Sequence, residues 1–403
     1  MTDRKTWCVP ILAWAVYAAV YFGRINLSIA IPFLQNEAGY SKAALGFLAS
    51  GFFGAYAIGQ FINGIIGDRL PVKYFVSLGL IVAGITNILF GMIQAFPVMF
   101  IVWTVNGYFQ SMLWGPLLRT LSESAPRAKQ YRVMFIMSTS PVIGHFLSYI
   151  LVGRLAVSFG WSAAFLVPGI MLSVMAGLWF WGISRFGGKT ESQSETETLS
   201  KREVLEKPNL IGFILQNKLY IIIFVGILAG IVKEGLTLWG PAIFTGYFSL
   251  NMNRMLSVMS LMPLVNLLFV ILVGILYKKF IQNENRIILI FSLTALLSIL
   301  LMWRLQTVIF LLTVIFFYGL MASINATCNI LTAYIPFNYK RHGRVSAVAG
   351  ILDSSIYFGA VIAGPVIGIT AEKFGWNGIF GGILWVCAAT LVLCLFMRKP
   401  LRN

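Results

Sequence analysis

The chain has 403 residues, of which 59% are hydrophobic and only 11% are charged, and it carries a formal net charge of +17. Soluble globular proteins contain roughly 25% charged residues, so this chain has too few polar side chains to form a water-covered surface. The composition therefore excludes a soluble globular protein and predicts an all-α polytopic membrane protein surrounded by lipid.

Twelve apolar segments follow one another along the chain, and each is long enough to cross a bilayer as a helix. The sequence predicts these transmembrane helices at residues 8–33, 45–66, 74–95, 98–122, 133–157, 161–183, 219–247, 255–277, 287–303, 307–335, 345–371 and 376–397. Because the number of spans is even, both termini are expected on one side of the membrane.

The basic residues outside the spans are distributed unequally between the two sides of this topology. Lys and Arg occur 22 times on the side of the termini and five times on the opposite side. Cytoplasmic segments are enriched in Lys and Arg, so we expect cytoplasmic termini in an inner (cell) membrane. The same distribution explains the positive net charge without nucleic acid. The expected partners are the lipid bilayer and a small anionic substrate, and we expect a monomer.

One polar segment divides the twelve spans into two groups of six. Residues 184–218 are rich in Ser, Thr and Glu and poor in apolar residues, which predicts a cytoplasmic linker with one surface helix. The linker separates an N-terminal bundle, residues 1–183, from a C-terminal bundle, residues 219–403.

The two groups of spans also repeat each other in sequence. Phe159-Gly160-Trp161 recurs as Phe374-Gly375-Trp376, and Gly144 and Gly153 recur at the same offset as Gly359 and Gly368. Parallel six-helix repeats form the plan of many secondary transporters, whose substrate site lies near the membrane midplane between the halves. The sequence thus predicts two pseudo-symmetric six-helix bundles.

Two cations lie inside predicted spans at equivalent positions of the repeat. Arg24 is in the first span and Lys233 is in the seventh. Ionised side chains at the bilayer centre cost about 2.5–3.5 kcal/mol even on insertion scales, which makes both residues functional candidates. Facing one cavity, they would bind an anion with a charge near two, Arg as a planar fork and Lys as a point charge. The alternative is internal neutralisation by Glu234 and Asp353.

Several polar residues recur at helical spacing, which places each pair on one helix face. The pairs are Tyr17 and Tyr21 before Arg24, Tyr56 and Gln60, Asn106 and Gln110, Asn325 and Asn329, and Asp353 and Tyr357. These faces either line the central cavity or form hydrogen bonds between helices. We favour the cavity for Tyr17 and Tyr21, and we include Gln60 and Gln110 among the substrate-binding candidates.

Catalytic motifs are absent from the sequence. It contains no metal-ligand cluster, Walker A loop or hydrolase nucleophile elbow, so we expect neither an enzyme nor a metal or cofactor. His145, in the fifth span, is a possible proton relay. Together with Glu234 and Asp353 it forms the set of candidates for proton coupling or charge balance.

The loop after the second span resembles a motif of the major facilitator superfamily. Gly64, Asp68, Arg69 and Lys73 match its G-x-x-x-D-R-x-x-x-[RK] pattern. The resemblance implies a charge latch between helix ends on the cytoplasmic face.

Within that superfamily the chain resembles the organophosphate:phosphate antiporters over nearly all of its length outside the linker. The segments that carry this resemblance are Tyr21–Asn26, Tyr56–Gly64, Asn106–Arg119 and Lys233–Pro241. It implies that Arg24 and Lys233 bind a phosphoryl group. It also implies that six aromatic residues line the site: Tyr17, Tyr21, Tyr56, Trp114, Tyr318 and Tyr357.

The sequence departs from that family at several site positions, and these departures leave the organic part of the substrate open. Carriers of glycerol 3-phosphate have Arg at the position of Lys233, Lys at that of Gln60 and His near that of Pro141, and Glu234 is an additional acid. The resemblance itself implies exchange of an organophosphate for inorganic phosphate by alternating access.

Two other functions remain as alternatives. Anion:cation symporters for sugar acids share a run like Arg24-Ile-Asn-Leu-Ser28, but they usually have an acid where Gly23 stands here. The absence of this acid favours exchange over proton symport. A proton-coupled symporter of organic carboxylates would use Glu234, Asp353 or His145 as its proton carrier. A transport-fold sensor of sugar phosphates is the third possibility.

Overall fold

The computed structural model describes residues 3–67, 70–124, 130–186, 210–278, 283–305, 310–342 and 345–397. Within these ranges the chain forms helices and no strands. Eleven of the described helices are long and apolar enough to cross a membrane. The fold is that of a polytopic membrane protein with two six-helix bundles.

The spans of the first bundle follow the predicted order. The first comprises Asp3–Val20 and Phe22–Asn36, the second Lys42–Gly67, the third Val72–Met92, the fourth Phe96–Gln110 and Trp114–Ser124, the fifth Gln130–Leu147, the π-helical Ser148–Val152 and Gly153–Phe159, and the sixth Ala163–Phe186. The two helices of the first span are separated only at Tyr21, whose backbone dihedral angles are themselves helical (φ −66°, ψ −24°).

The second bundle follows a short helix. That helix is Leu210–Gln216, the seventh span is Leu219–Gly246, the eighth Met252–Leu276, the ninth Glu284–Leu305, the tenth Phe310–Asn329 with the π-helical Ile330–Tyr334, the eleventh Val345–Lys373 and the twelfth Gly375–Leu395. A 3-10 helix, Ile335–His342, connects the tenth and eleventh spans. The short helix lies in the predicted linker 184–218, of which residues 187–209 are outside the described ranges.

The fourth span differs from its prediction, because residues 98–122 are not one continuous helix. The helix ends at Gln110 and a second helix starts at Trp114. Pro116 has no N–H for the carbonyl of Met112, so an unbroken helix would lose a hydrogen bond there. The break is stabilised from the second span, where Asn63 Nδ2 donates to Ser111 Oγ over 2.8 Å. This interruption is why eleven rather than twelve helices qualify as spans by length.

The two bundles contact each other closely at the membrane face opposite the termini, called here the far face. Gly46 of the second span lies against Gly364 of the eleventh, where an added Cβ would stand 2.3 Å from the Gly364 carbonyl oxygen. One helical turn closer to the start of the second span, Ala43 N donates a hydrogen bond to the Glu372 carboxylate over 2.9 Å. Lys42 Nζ lies 4.7 Å from the centre of the Trp376 ring.

The first and seventh spans also meet on this side of the midplane. Ser28 Oγ donates to the carbonyl oxygen of Thr237 over 2.7 Å, and Ser50 Oγ of the second span donates to the carbonyl of Val361. The far face is therefore closed by direct contacts between the bundles.

Candidate functional site

Arg24 lies in the first turn of the second helix of the first span, with its guanidinium among tyrosine rings. Its Cζ is 4.5 Å from the centre of the Tyr56 ring and 5.1 Å from that of Tyr21. Arg24 Nε donates to Gln110 Oε1 over 3.1 Å. Nη2 is buried and has no hydrogen-bond partner among the described residues. One edge of the guanidinium is thus anchored, and the other has a free donor for an anionic ligand.

Buried amide side chains hold Gln110, the residue that accepts the hydrogen bond from Arg24, in place. Gln110 Nε2 donates to the Gly23 carbonyl (2.8 Å) and to Asn106 Oδ1 (3.1 Å), Asn87 Nδ2 donates to Asn106 Oδ1 (3.4 Å), and Asn26 Nδ2 donates to Asn87 Oδ1 (2.7 Å). All four side chains are at most 1% exposed. This amide network connects the first, third and fourth spans and fixes the orientation of Gln110. Of its members, Asn26 and Asn87 are not among the predicted site residues, and Asn106 is predicted only as part of a polar face that either lines the cavity or bonds to other helices.

We expect Asn87→Ala to lower the free energy of unfolding by about 1–3 kcal/mol, because Asn26 and Asn106 each lose a buried hydrogen bond to Asn87. Thermal unfolding in detergent measures this loss. Asn253→Ala is the control, because Asn253 is exposed at the start of the eighth span. Equal melting temperatures for the two variants would show that the network contributes no stability.

Aromatic rings surround the Arg24 guanidinium and connect it to other spans. Tyr17 packs against Trp114 with 4.6 Å between ring centres, and Tyr21 packs against His145 at 4.3 Å. Tyr56 packs against Tyr357 of the eleventh span at 4.7 Å, a contact between the two bundles. The structure therefore brings these predicted aromatic residues together around one cation.

Lys233 is paired inside the protein. Its Nζ lies 2.8 Å from Glu234 Oε1, and the two side chains are 28% and 13% exposed. Asp353 is close enough to interact electrostatically with Lys233, Glu234 and Arg24. Of the two interpretations of the sequence, internal neutralisation therefore describes Lys233 in this structure. Arg24 forms no ion pair within the described ranges and is therefore the cation of this site that has no acid in direct contact.

The other predicted residues occupy more peripheral positions. Gln60 Nε2 donates to the Tyr56 hydroxyl over 3.0 Å, one helical turn along the second span. His145 contacts the Pro141 carbonyl through Nδ1 at 3.0 Å. The Tyr318 hydroxyl donates to the Val258 carbonyl of the eighth span over 2.6 Å. This bond directs the Tyr318 hydroxyl to a helix–helix contact, and no described contact joins it to the cluster around Arg24.

The predicted loop motif is described only at its ends. Gly64 lies in the last turn of the second span, with no atom within 4 Å of where a Cβ would stand. Asp68 and Arg69 lie outside the described residues. Lys73 begins the third span, and its Nζ is 3.8 Å from the centre of the Phe180 ring. The charge latch therefore stays a prediction.

Comparison with known proteins identifies relatives of this chain. The family model described as Major Facilitator Superfamily matches residues 13–352. A probable hexose phosphate transport protein of Chlamydia trachomatis is 27% identical over 94% of this chain and 88% of its own length. The membrane sensor protein UhpC of Escherichia coli is 24% identical over 91% of this chain and 86% of its own length.

Solved structures show the same architecture at lower sequence identity. A bacterial homolog of the human lysosomal transporter Spinster, in an inward-facing and unoccupied conformation, superposes with a TM-score of 0.77. That comparison covers 98% of this chain and 96% of the other, at 14% identity. It supports the fold alone.

Proposed function

Because the chain belongs to the major facilitator superfamily, a family of transporters and not of enzymes, we propose that it exchanges an organophosphate for inorganic phosphate across the inner membrane. The hexose phosphate relative supports a sugar phosphate as the organic substrate. The observation that carries the proposal is the buried, unpartnered Nη2 of Arg24 beside its anchored Nε. Phosphoryl oxygens are suited to such a guanidinium edge.

Substrate binding starts at Arg24 in this proposal. A phosphoryl oxygen accepts from Arg24 Nη2, while Tyr21 and Tyr56 hold the guanidinium plane through cation–π contacts. Lys233 lies on the other bundle and is partly exposed. A phosphoryl group that contacts both cations joins the two bundles, and their rocking about this site moves it across the membrane.

The topology belongs to the same proposal. Residues 1–183 and 219–403 move as two bundles joined by the linker 184–218. The termini are cytoplasmic because the basic residues are concentrated on their side. With that orientation the far face is extracytoplasmic, and the closed contacts of Gly46 and Gly364 correspond to a carrier open to the cytoplasm. The carrier acts as a monomer.

Counterflow in proteoliposomes tests the exchange. We expect uptake of labelled phosphate to require internal phosphate or sugar phosphate and to respond little to an imposed pH gradient. The reason is that the empty carrier has an uncompensated cation at its midplane, which slows its return. Vesicles without internal anion are the control. Vigorous proton-driven uptake into such vesicles, or a preference for sugar acids over sugar phosphates, would instead support the carboxylate symporter.

A sensor is the second candidate function, and the similarity to the Escherichia coli membrane sensor protein favours it. A sensor would bind sugar phosphate at the same site without net exchange. Protection of the purified protein against thermal unfolding by glucose 6-phosphate, combined with absence of counterflow, would support the sensor over the carrier.

A further inference from the structure

The ion pair between Lys233 and Glu234 joins two residues adjacent in sequence. Neighbouring side chains on a helix point about 100° apart, so adjacent residues do not normally face each other. Here Nζ and Oε1 nevertheless approach to 2.8 Å, and both side chains keep some solvent exposure. The two charged groups therefore converge on one partly exposed point. Glu234 occupies a position at Lys233 Nζ that an oxygen of a bound anion would otherwise take.

The pair changes the charge that the site offers to a ligand. Arg24 and Lys233 contribute two positive charges, and Glu234 removes one of them through its contact with Lys233. The neighbouring Asp353, which interacts electrostatically with all three, can only lower the sum further. Further titratable groups near the pair are His145, Cys328, Tyr21, Tyr149 and Tyr357. The site therefore offers at most one uncompensated positive charge.

A buried site binds best the ligand whose charge it balances. A doubly charged anion would leave excess negative charge beside Glu234 in a medium of low dielectric constant, where repulsion is strong. A singly charged anion leaves less excess negative charge than a doubly charged one. Without Glu234 the site would carry one more positive charge and would accommodate a dianion better, which is the ligand charge that Arg24 and Lys233 predict when they are considered alone.

We propose that Glu234 determines charge specificity and fits the site to a singly charged anion, such as the monoanionic form of a phosphate monoester. The inference rests on the proposed function, because it concerns how the same site recognises the phosphoryl group. Its basis is the contact of Glu234 with Lys233, whereas Arg24 forms no ion pair with an acid among the described residues.

Two sugar esters of similar shape and different charge provide the test. Glucose 6-sulfate carries one negative charge, whereas glucose 6-phosphate carries two at about pH 8, since the second phosphate pKa is about 6. Each competes with labelled phosphate in counterflow, and the ratio of their inhibition constants is measured at that pH. Because repulsion by Glu234 scales with ligand charge, we expect Glu234→Gln to shift this ratio at least about tenfold toward glucose 6-phosphate.

Companion variants separate charge from other effects. Lys233→Gln leaves Glu234 unpaired and should shift the ratio the opposite way, toward the sulfate. The double variant Lys233→Gln/Glu234→Gln restores the charge sum and should return the ratio close to that of the parent. Glu37→Gln, a matched change at an exposed residue outside the site, should leave the ratio unchanged.

The possible outcomes distinguish a failure of the role of Glu234 from a failure of the proposed phosphate exchange. A parental ratio in Glu234→Gln, or an equal shift in Glu37→Gln, would overturn the role of Glu234 while leaving the exchange of phosphate intact. If Glu234→Gln does not fold, absence of the opposite shift in Lys233→Gln would overturn it. Failure of both esters to compete in the parent would overturn the proposed function and this inference with it.

Discussion

Arg24→Lys should lose nearly all phosphate exchange, by roughly 100-fold, while the protein still inserts and folds. A Lys ammonium cannot donate to Gln110 and present a second donor to a phosphoryl group in the way the guanidinium does. The loss of two charge-assisted hydrogen bonds at about 1.5 kcal/mol each gives about 3 kcal/mol, equivalent to that factor. Stacking on Tyr56 is weakened as well. Counterflow and melting temperature with and without phosphate measure the effect.

Two further variants are the controls for this result. Arg154→Lys makes the same change at an exposed base of the fifth span and should exchange like the parent. Lys233→Arg keeps a long base that can still pair with Glu234, and we expect it to retain most of the exchange. If Arg24→Lys exchanged phosphate at the parental rate, Arg24 would be a structural member of the amide network and not a ligand of the substrate.

Gly46→Ala should slow exchange strongly by preventing closure of the far face. The added Cβ would lie 2.3 Å from the carbonyl oxygen of Gly364, which is backbone and cannot turn away. Overpacking of this kind costs about 1–3 kcal/mol, which shifts the equilibrium between the two conformations roughly 5- to 150-fold. Exchange needs both conformations, so turnover falls. Labelling of Ser50→Cys by an impermeant maleimide, in a background without native cysteines, should increase from the far side.

Gly54→Ala is the matched control on the same helix. A Cβ at Gly54 would contact only the Val361 side chain, at 3.8 Å. Exchange and labelling of this variant should equal those of the parent. A similar loss in both glycine variants would indicate that helix flexibility, and not contact between the bundles, limits turnover.

Much of the fold could be predicted from the sequence because lipid leaves few choices for the backbone. The predicted span 161–183 corresponds to Ala163–Phe186, and 376–397 corresponds to Gly375–Leu395. The break in the fourth span could not be predicted from Pro116 alone, because other helices continue past an internal proline. Pro32 and Pro263 are examples. What differs at Pro116 is the support that Asn63 gives to Ser111, which is a tertiary contact.

The site was predictable where it depends on spacing along one helix. Tyr17, Tyr21 and Arg24 share a face, and the structure places them in one cluster. The ion pair of Lys233 and Glu234 follows no such spacing, since adjacent helical residues usually diverge. Asn87 was harder to recognise from the sequence. It is an amide in an apolar span, but no polar residue lies three or four positions away to indicate a polar helix face. Its role depends on Asn26, which belongs to a different span.

The closure of the far face has a consequence for the speed of the carrier. Among the described residues, the contacts at this face include the carboxylate of Glu372, the contact between Lys42 and Trp376, close backbone packing, and hydroxyl groups bonded to carbonyls. When the bundles separate, water replaces each of these partners, so one hydrogen bond changes the free energy by only about 0.5–1.5 kcal/mol. When only a few hydrogen bonds are replaced in this way, the open and closed forms have similar free energies. One bound anion can then select between them. Strengthening the contacts between the bundles at the far face would therefore give a more stable protein with a lower turnover number.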